Sequence, residues 1–120
     1  MTELTLTIDE ESPDDRVMVS ARGDLDLHTA TGLYTKVGEL LTRHTFVFMD
    51  LSRVAFCDSS GYNALLRLHR RAHEAGSRFI LVSPHPTVSR LLALTASDGV
   101  FDVYGSRAEA FAAHPVAHDS

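Results

Sequence analysis

The sequence predicts a single α/β domain. It is read as one mixed sheet of four to five strands, with an opening antiparallel hairpin and the remaining strands parallel, packed with about four helices. Three observations carry this. Two alternating segments joined by a short turn open the chain. Short continuous apolar runs then alternate with segments of helical period. A length of 120 residues suits one domain.

Leu4, Leu6 and Ile8 alternate with Thr5 and Thr7, the pattern of a half-buried strand. The acidic stretch from Glu10 to Asp15 contains Pro13 and reads as a turn. Val17, Val19 and Ala21 alternate after it, which gives an antiparallel hairpin. Gly23-Asp24-Leu25-Asp26 ends the second strand, and Thr29 is placed to cap a helix. The apolar stripe of that helix is Leu33, Val37, Leu40 and Leu41. Phe46-Val47-Phe48-Met49 is the unbroken apolar run of a strand buried on both faces, ending at Asp50. A connector from Leu51 to Cys57 leads to Asp58-Ser59-Ser60-Gly61 and a second helix running to about Ala75. Leu65, Leu68, Ala72 and Ala75 form its core face, and Gly76 is placed to close it in a left-handed cap.

Phe79-Ile80-Leu81-Val82 is a further buried strand. Pro84 and Pro86 bracket a turn, and Val88, Leu91 and Leu92 mark a short third helix. Val100-Phe101-Asp102-Val103 reads as a weak last strand. Ser106-Arg107-Ala108-Glu109 fits a capping box that starts a final helix, with Phe111 buried. The domain is expected over residues 1–113, and a mobile tail over 114–120. Strand–helix–strand alternation after the hairpin implies parallel pairing with right-handed crossovers.

Apolar residues make up 44% of the chain and charged residues 22%, ordinary for a globular protein. The one cysteine, Cys57, has no internal partner, which suits a reducing, cytoplasmic setting. No apolar run approaches the ~18 residues needed to cross a bilayer. Met1-Thr2-Glu3 shows no basic segment followed by an apolar one, so no signal peptide is expected. A net charge of -5 argues against nucleic acid as the general partner. Seven histidines invite a metal reading. His69 and His73 share a helix face, but two ligands do not make a site, so neither metal nor cofactor is expected.

Asp58-Ser59-Ser60-Gly61 lies where a loop becomes a helix. Alone, it reads as capping, because Asp and Ser favour that position and Gly tolerates unusual backbone angles. A hydroxyl there also sits where a helix dipole favours negative charge. A phosphate on it would meet Asp58, and two unit charges ~5 Å apart repel by about 3 kcal/mol at an effective dielectric of ~20. Phosphorylation would thus leave the fold intact and change the surface sharply.

Phe56-Cys57-Asp58-Ser59-Ser60-Gly61 resembles the phosphorylation segment of bacterial anti-sigma factor antagonists, the STAS domain family. Gly23-Asp24-Leu25-Asp26-Leu27-His28-Thr29-Ala30 resembles the family's second block, and Phe48 to Val54 also fits. The resemblance covers about residues 4–112. It implies that Ser59 is the phosphorylated serine, with Asp26, Asp58, Ser60 and Gly61 around it. The unphosphorylated form would bind an anti-sigma factor and free the sigma factor. That anti-sigma factor would also be the serine kinase, a separate serine phosphatase would reset the switch, and the chain itself would not be an enzyme. Tyr62 and Asn63 depart from the family, which usually has a small apolar residue and a second Gly there. Cys57 stands where Met or Leu is common.

Tyr62, Leu66, His69 and His73 form a second stripe beside the core face. Tyr62 and Leu66, with His28, are the expected partner contacts, Tyr62 as an exposed anchor. Two rivals fit less well. A receiver domain needs a late lysine, and the only lysine, Lys36, lies too early. A serine-nucleophile enzyme would show Gly-x-Ser-x-Gly, which is absent. A STAS scaffold or small-molecule sensor outside sigma-factor control is the alternative within the family.

Overall fold

The structure, a computed structural model, describes residues 3–11, 15–94 and 100–114. Five strands and four helices follow one another along the chain: β1 Leu4–Glu11, β2 Arg16–Leu25, α1 Ala30–Arg43, β3 Phe46–Cys57, α2 Ser59–Ala75, β4 Arg78–Val82, α3 Pro86–Leu94, β5 Asp102–Tyr104 and α4 Arg107–Ala113. The strands lie in one sheet in the order β1-β2-β3-β4-β5. β1 runs antiparallel to β2, and all other pairs are parallel. The expected turn at Pro13 and the expected tail beyond His114 lie outside the described residues.

Sequential strand order decides where the helices go. Each parallel connection steps one strand in the same direction, and right-handed crossovers that all step one way place their helices on one face. Val17, Val19, Val47, Met49, Phe79 and Leu81 supply that face of the sheet. Leu33, Val37 and Leu41 of α1, Leu65, Leu68 and Ala72 of α2, and Val88 of α3 cover it. The alternate side chains Met18, Phe48, Ile80 and Val82 point the other way and meet Ala110 and Phe111 of α4. Both faces of the middle strands are therefore buried, which is why they read as unbroken apolar runs.

α4 covers only part of that second face. Over β1, β2 and the far half of β3 the face stays open, as a polar groove of about 850 Å3 lined by Thr5, Thr7, Ser20, Arg22, Asp24 and Arg53 among others. Arg107, at the start of α4, borders it and binds Asp50 (2.9 Å) and Asp9 (2.6 Å). Burial alone would push the Asp50 carboxyl up. The Ser52 and Arg107 hydrogen bonds outweigh this and hold it below the usual carboxylate range.

Several expectations change. β3 does not end at Asp50 but runs on to Cys57, pairing there with β2 alone. Register shifts at Ser20/Arg22 and Gly23/Asp24 break its alternation, so the segment reads as a connector in sequence. Thr29 is the N-cap of α1 but makes no side-chain cap bond. Ala75 is exposed, since in the last turn of α2 the core side is taken by Ala72, while Gly76 does close that helix in the left-handed region (φ 75°). Phe111 is half-buried, not fully buried, with its ring edge-on to Phe48 at 4.8 Å and the Arg16 guanidinium over it. Gly61 has no positive φ; its smallness serves a close approach.

Candidate functional site

The two sequence blocks singled out above meet at the carboxyl ends of β2 and β3. Leu25 pairs with Cys57 across the strands, and the Asp58 N–H donates to the Leu25 carbonyl at 3.0 Å. Gly61, in the first turn of α2, packs on the same residue. A Cβ there would sit 2.5 Å from the Leu25 carbonyl oxygen and 2.7 Å from its Cβ. Leu25 itself is fully buried, so the β2 end anchors the start of α2.

Asp58 is the N-cap of α2. Its Oδ1 accepts the Ser60 and Gly61 N–H groups at 2.9 and 3.1 Å. Ser59 is the first helical residue and is exposed; Ser60 is half-buried and Gly61 buried. Behind them, burial first and the Asp58 carboxylate second push the Cys57 thiol up to about 11. It is a protonated thiol at neutral pH and a poor nucleophile.

The other side of the site is the turn from β2 into α1. Asp26, only 7% exposed, accepts the His28 and Thr29 N–H groups on Oδ1 at 2.9 and 3.2 Å. The Thr29 hydroxyl donates to the Asp24 carbonyl at 2.7 Å, and the Asp26 N–H donates back to Thr29 Oγ1 at 3.0 Å. Asp26 thus holds the turn before α1, and Thr29 caps the helix only by position, with no side-chain bond to it. This turn presents His28, exposed, and Leu27, 71% exposed. Phe56, at the end of β3, is 49% exposed. Composition and spacing gave no signal for Leu27 or Phe56, because exposure at a strand end depends on the β3 bulges and the turn.

Tyr62 and Leu66 lie on α2, whereas His28 lies in the turn before α1. Tyr62 is half-buried rather than exposed, its ring edge-on to Phe101 at 6.1 Å. His69 packs on the same ring at 5.7 Å, and burial lowers its pKa. Arg67 and Arg71 lie over the Tyr34 ring of α1 on another side of α2. Leu66 is half-buried, and His28 borders a small cavity of about 320 Å3 with Leu4, Leu6, Leu33 and Lys36. Among the described residues no group of three metal-ligating side chains converges, and no helix is long and apolar enough to cross a membrane.

Known proteins resemble this chain in sequence and in fold. The anti-sigma F factor antagonist of Paenibacillus polymyxa is 24% identical over 109 residues, which cover 89% of this chain and 93% of that protein. The crystal structure of an anti-sigma factor antagonist from Mycobacterium paratuberculosis superposes with a TM-score of 0.79 at 26% identity, covering 92% of this chain and 93% of that one. SpoIIAA, an anti-sigma factor antagonist, shares the fold in its unphosphorylated form (TM-score 0.71, 22% identity, 98% and 100% covered). The phosphorylated form of the Bacillus SpoIIAA shares it too (TM-score 0.66, 23% identity, 94% and 98% covered). The sequence matches the STAS domain over residues 7–110, from the middle of β1 to the middle of α4. The hairpin-led mixed sheet, the Asp58-capped helix and that match together place the chain in the STAS domain family.

Proposed function

We propose that this chain is an anti-sigma factor antagonist switched by phosphorylation of Ser59, and that it performs no catalysis itself. The observation that carries the reading is the exposed Ser59 hydroxyl at the first position of α2, directly behind the Asp58 cap. Relatives named as anti-sigma factor antagonists support it, as does the existence of SpoIIAA in both phosphorylated and unphosphorylated forms. Residues 1–113 form the working domain.

The switch is electrostatic. Unmodified Ser59 offers a small neutral surface that an anti-sigma factor can cover. The Ser60 and Gly61 N–H groups already bind Asp58, so a phosphate on Ser59 would find those two donors occupied. It would stand as close to two negative charges beside the Asp58 carboxylate, strongly hydrated. Covering it removes water from that charge, and a loss of ~2.7 kcal/mol weakens binding about a hundredfold. The anti-sigma factor is the kinase that adds this charge, and a serine phosphatase removes it.

The test uses purified anti-sigma factors with serine-kinase activity from the source organism. Mass mapping after incubation with ATP is expected to find the phosphate on Ser59. Ser59→Ala is expected to bind as tightly as the unmodified chain, and Ser59→Asp more weakly, though less weakly than the phosphoprotein. Equal affinity across all four forms would reduce Ser59 to a helix-terminal residue and end the proposal. The open polar groove favours a second reading, a STAS scaffold or small-molecule sensor. That reading gains if no such anti-sigma factor binds.

A further inference from the structure

We infer that Leu27 and Phe56 are the apolar anchors that seat the partner, and that the partner offers them an apolar pocket. This rests on the reading of the chain as an anti-sigma factor antagonist and moves the contact away from Tyr62 and Leu66.

Four large apolar side chains are well exposed among the described residues: Ile8, Leu27, Phe56 and Val103. Ile8 and Val103 lie on the two edge strands of the sheet, where one flank has no neighbouring strand. Leu27 has no such explanation, since it lies in a turn and not on a strand, and Phe56 shares a free flank because β3 beyond Asp50 pairs with β2 alone. Both stand at the carboxyl ends of β2 and β3, where Ser59 also stands.

The turn that carries Leu27 is held rigidly. Asp26 Oδ1, the Thr29 hydroxyl and the Asp24 carbonyl tie it with hydrogen bonds between 2.7 and 3.2 Å. A buried carboxylate and a ring of bonds therefore hold in water a side chain that would gain by leaving it. A contact residue fixed in advance loses little conformational freedom on binding, which is the property of a good anchor. Phe56 is fixed by the ladder itself, opposite Asp24. Tyr62 already has an aromatic neighbour in Phe101 and is half-buried, so it has less surface to give.

The spacing suits one footprint. Leu27 lies two residues beyond Leu25, and Ser59 two beyond Cys57, and those strand ends are paired. Two residues reach at most ~7 Å and strands lie ~4.8 Å apart, so the two Cα atoms are within roughly 19 Å. A standard interface of roughly 800 Å2 per partner is roughly 30 Å across, enough to cover both. A phosphate on Ser59 then falls inside the area the apolar anchors must dehydrate.

The experiment measures affinity for the same panel of purified anti-sigma kinases. Leu27→Ser and Phe56→Ser are each expected to weaken binding by about tenfold or more, the scale of an apolar side chain losing its burial. Leu27→Met should stay within about threefold. Ile8→Ser, far down β1, is the control and should bind like the wild type. Melting curves accompany each variant, and if Phe56→Ser unfolds, the exposed Leu27→Ser decides. Wild-type binding with unchanged affinity for Leu27→Ser overturns this inference and leaves the proposed function standing. Absence of wild-type binding to any kinase overturns the proposed function, and the inference with it.

Discussion

Asp58, Ser59 and Gly61 lie within one turn of chain, yet each answers to a different force. Asp58 satisfies two N–H groups of α2, so Asp58→Ala should cost about 1 kcal/mol, as loss of a side-chain cap does. Ser59 is exposed, so Ser59→Ala should stay within about 0.5 kcal/mol of the wild type. Urea titration of the two variants measures the contrast; equal losses would mean that Ser59 holds the helix end as much as Asp58 does. Gly61 is the residue whose type the sequence flagged for the wrong reason. Freedom of backbone angle was expected, but the backbone there is ordinary and the constraint is the Leu25 main chain. Gly61→Ala should therefore destabilise by about 1–3 kcal/mol through overpacking. Loss of that magnitude in the same titration confirms the close approach, and a neutral result would mean that the β2 end gives way freely. No local pattern could show this contact, because Leu25 and Gly61 belong to different strand–helix units.

Elements with one period were legible, and elements with two were not. The stripe Leu33, Val37, Leu40, Leu41 is buried as its spacing says, and β4 is the buried strand its apolar run says. β3 changes character at Asp50. Its first half pairs on both sides and reads cleanly, whereas its second half pairs only with β2 through register shifts that scramble polar and apolar order. α2 carries a similar lesson. Its core face was visible, but its flank depends on Phe101, which arrives from beyond α3. Tyr62 thus has a packing role that an isolated helix stripe cannot reveal. Tyr62→Ala should lower stability by about 1–2 kcal/mol, a fraction of the cost of emptying a fully buried aromatic site. Thermal melting checks this: an unchanged midpoint would return Tyr62 to the surface and restore it as a partner anchor.

At the scale of the whole molecule, one-directional winding leaves a closed face and an open one, and titratable groups sit on both. On the helical face His69 is half-buried against Phe101 with its Nδ1 unpartnered, and burial lowers its pKa against the pull of Asp102. On the α4 face burial likewise lowers that of His114, which bonds the Tyr104 hydroxyl at 3.0 Å. A lowered histidine pKa means that the unfolded chain takes a proton before the folded one does. Stability must then fall as pH drops below the unfolded value of about 6.5, and level off once the folded value is passed. A second decline belongs to Asp9 and Asp50, bound to Arg107. Both are held below the carboxylate value of 3.8: Asp9 by its Ser20 and Arg107 hydrogen bonds, Asp50 by bonds that outweigh its burial. A depressed carboxylate contributes stability above its unfolded pKa and loses it as pH falls through the folded one, so this decline begins below about pH 4. Melting temperatures between pH 8 and pH 3 should therefore fall in two stages. His69→Gln, with no titrating ring, should reduce the first stage and leave the second. A single decline confined to pH below 4 would show that the aromatic seat of His69 takes a proton as readily as water does.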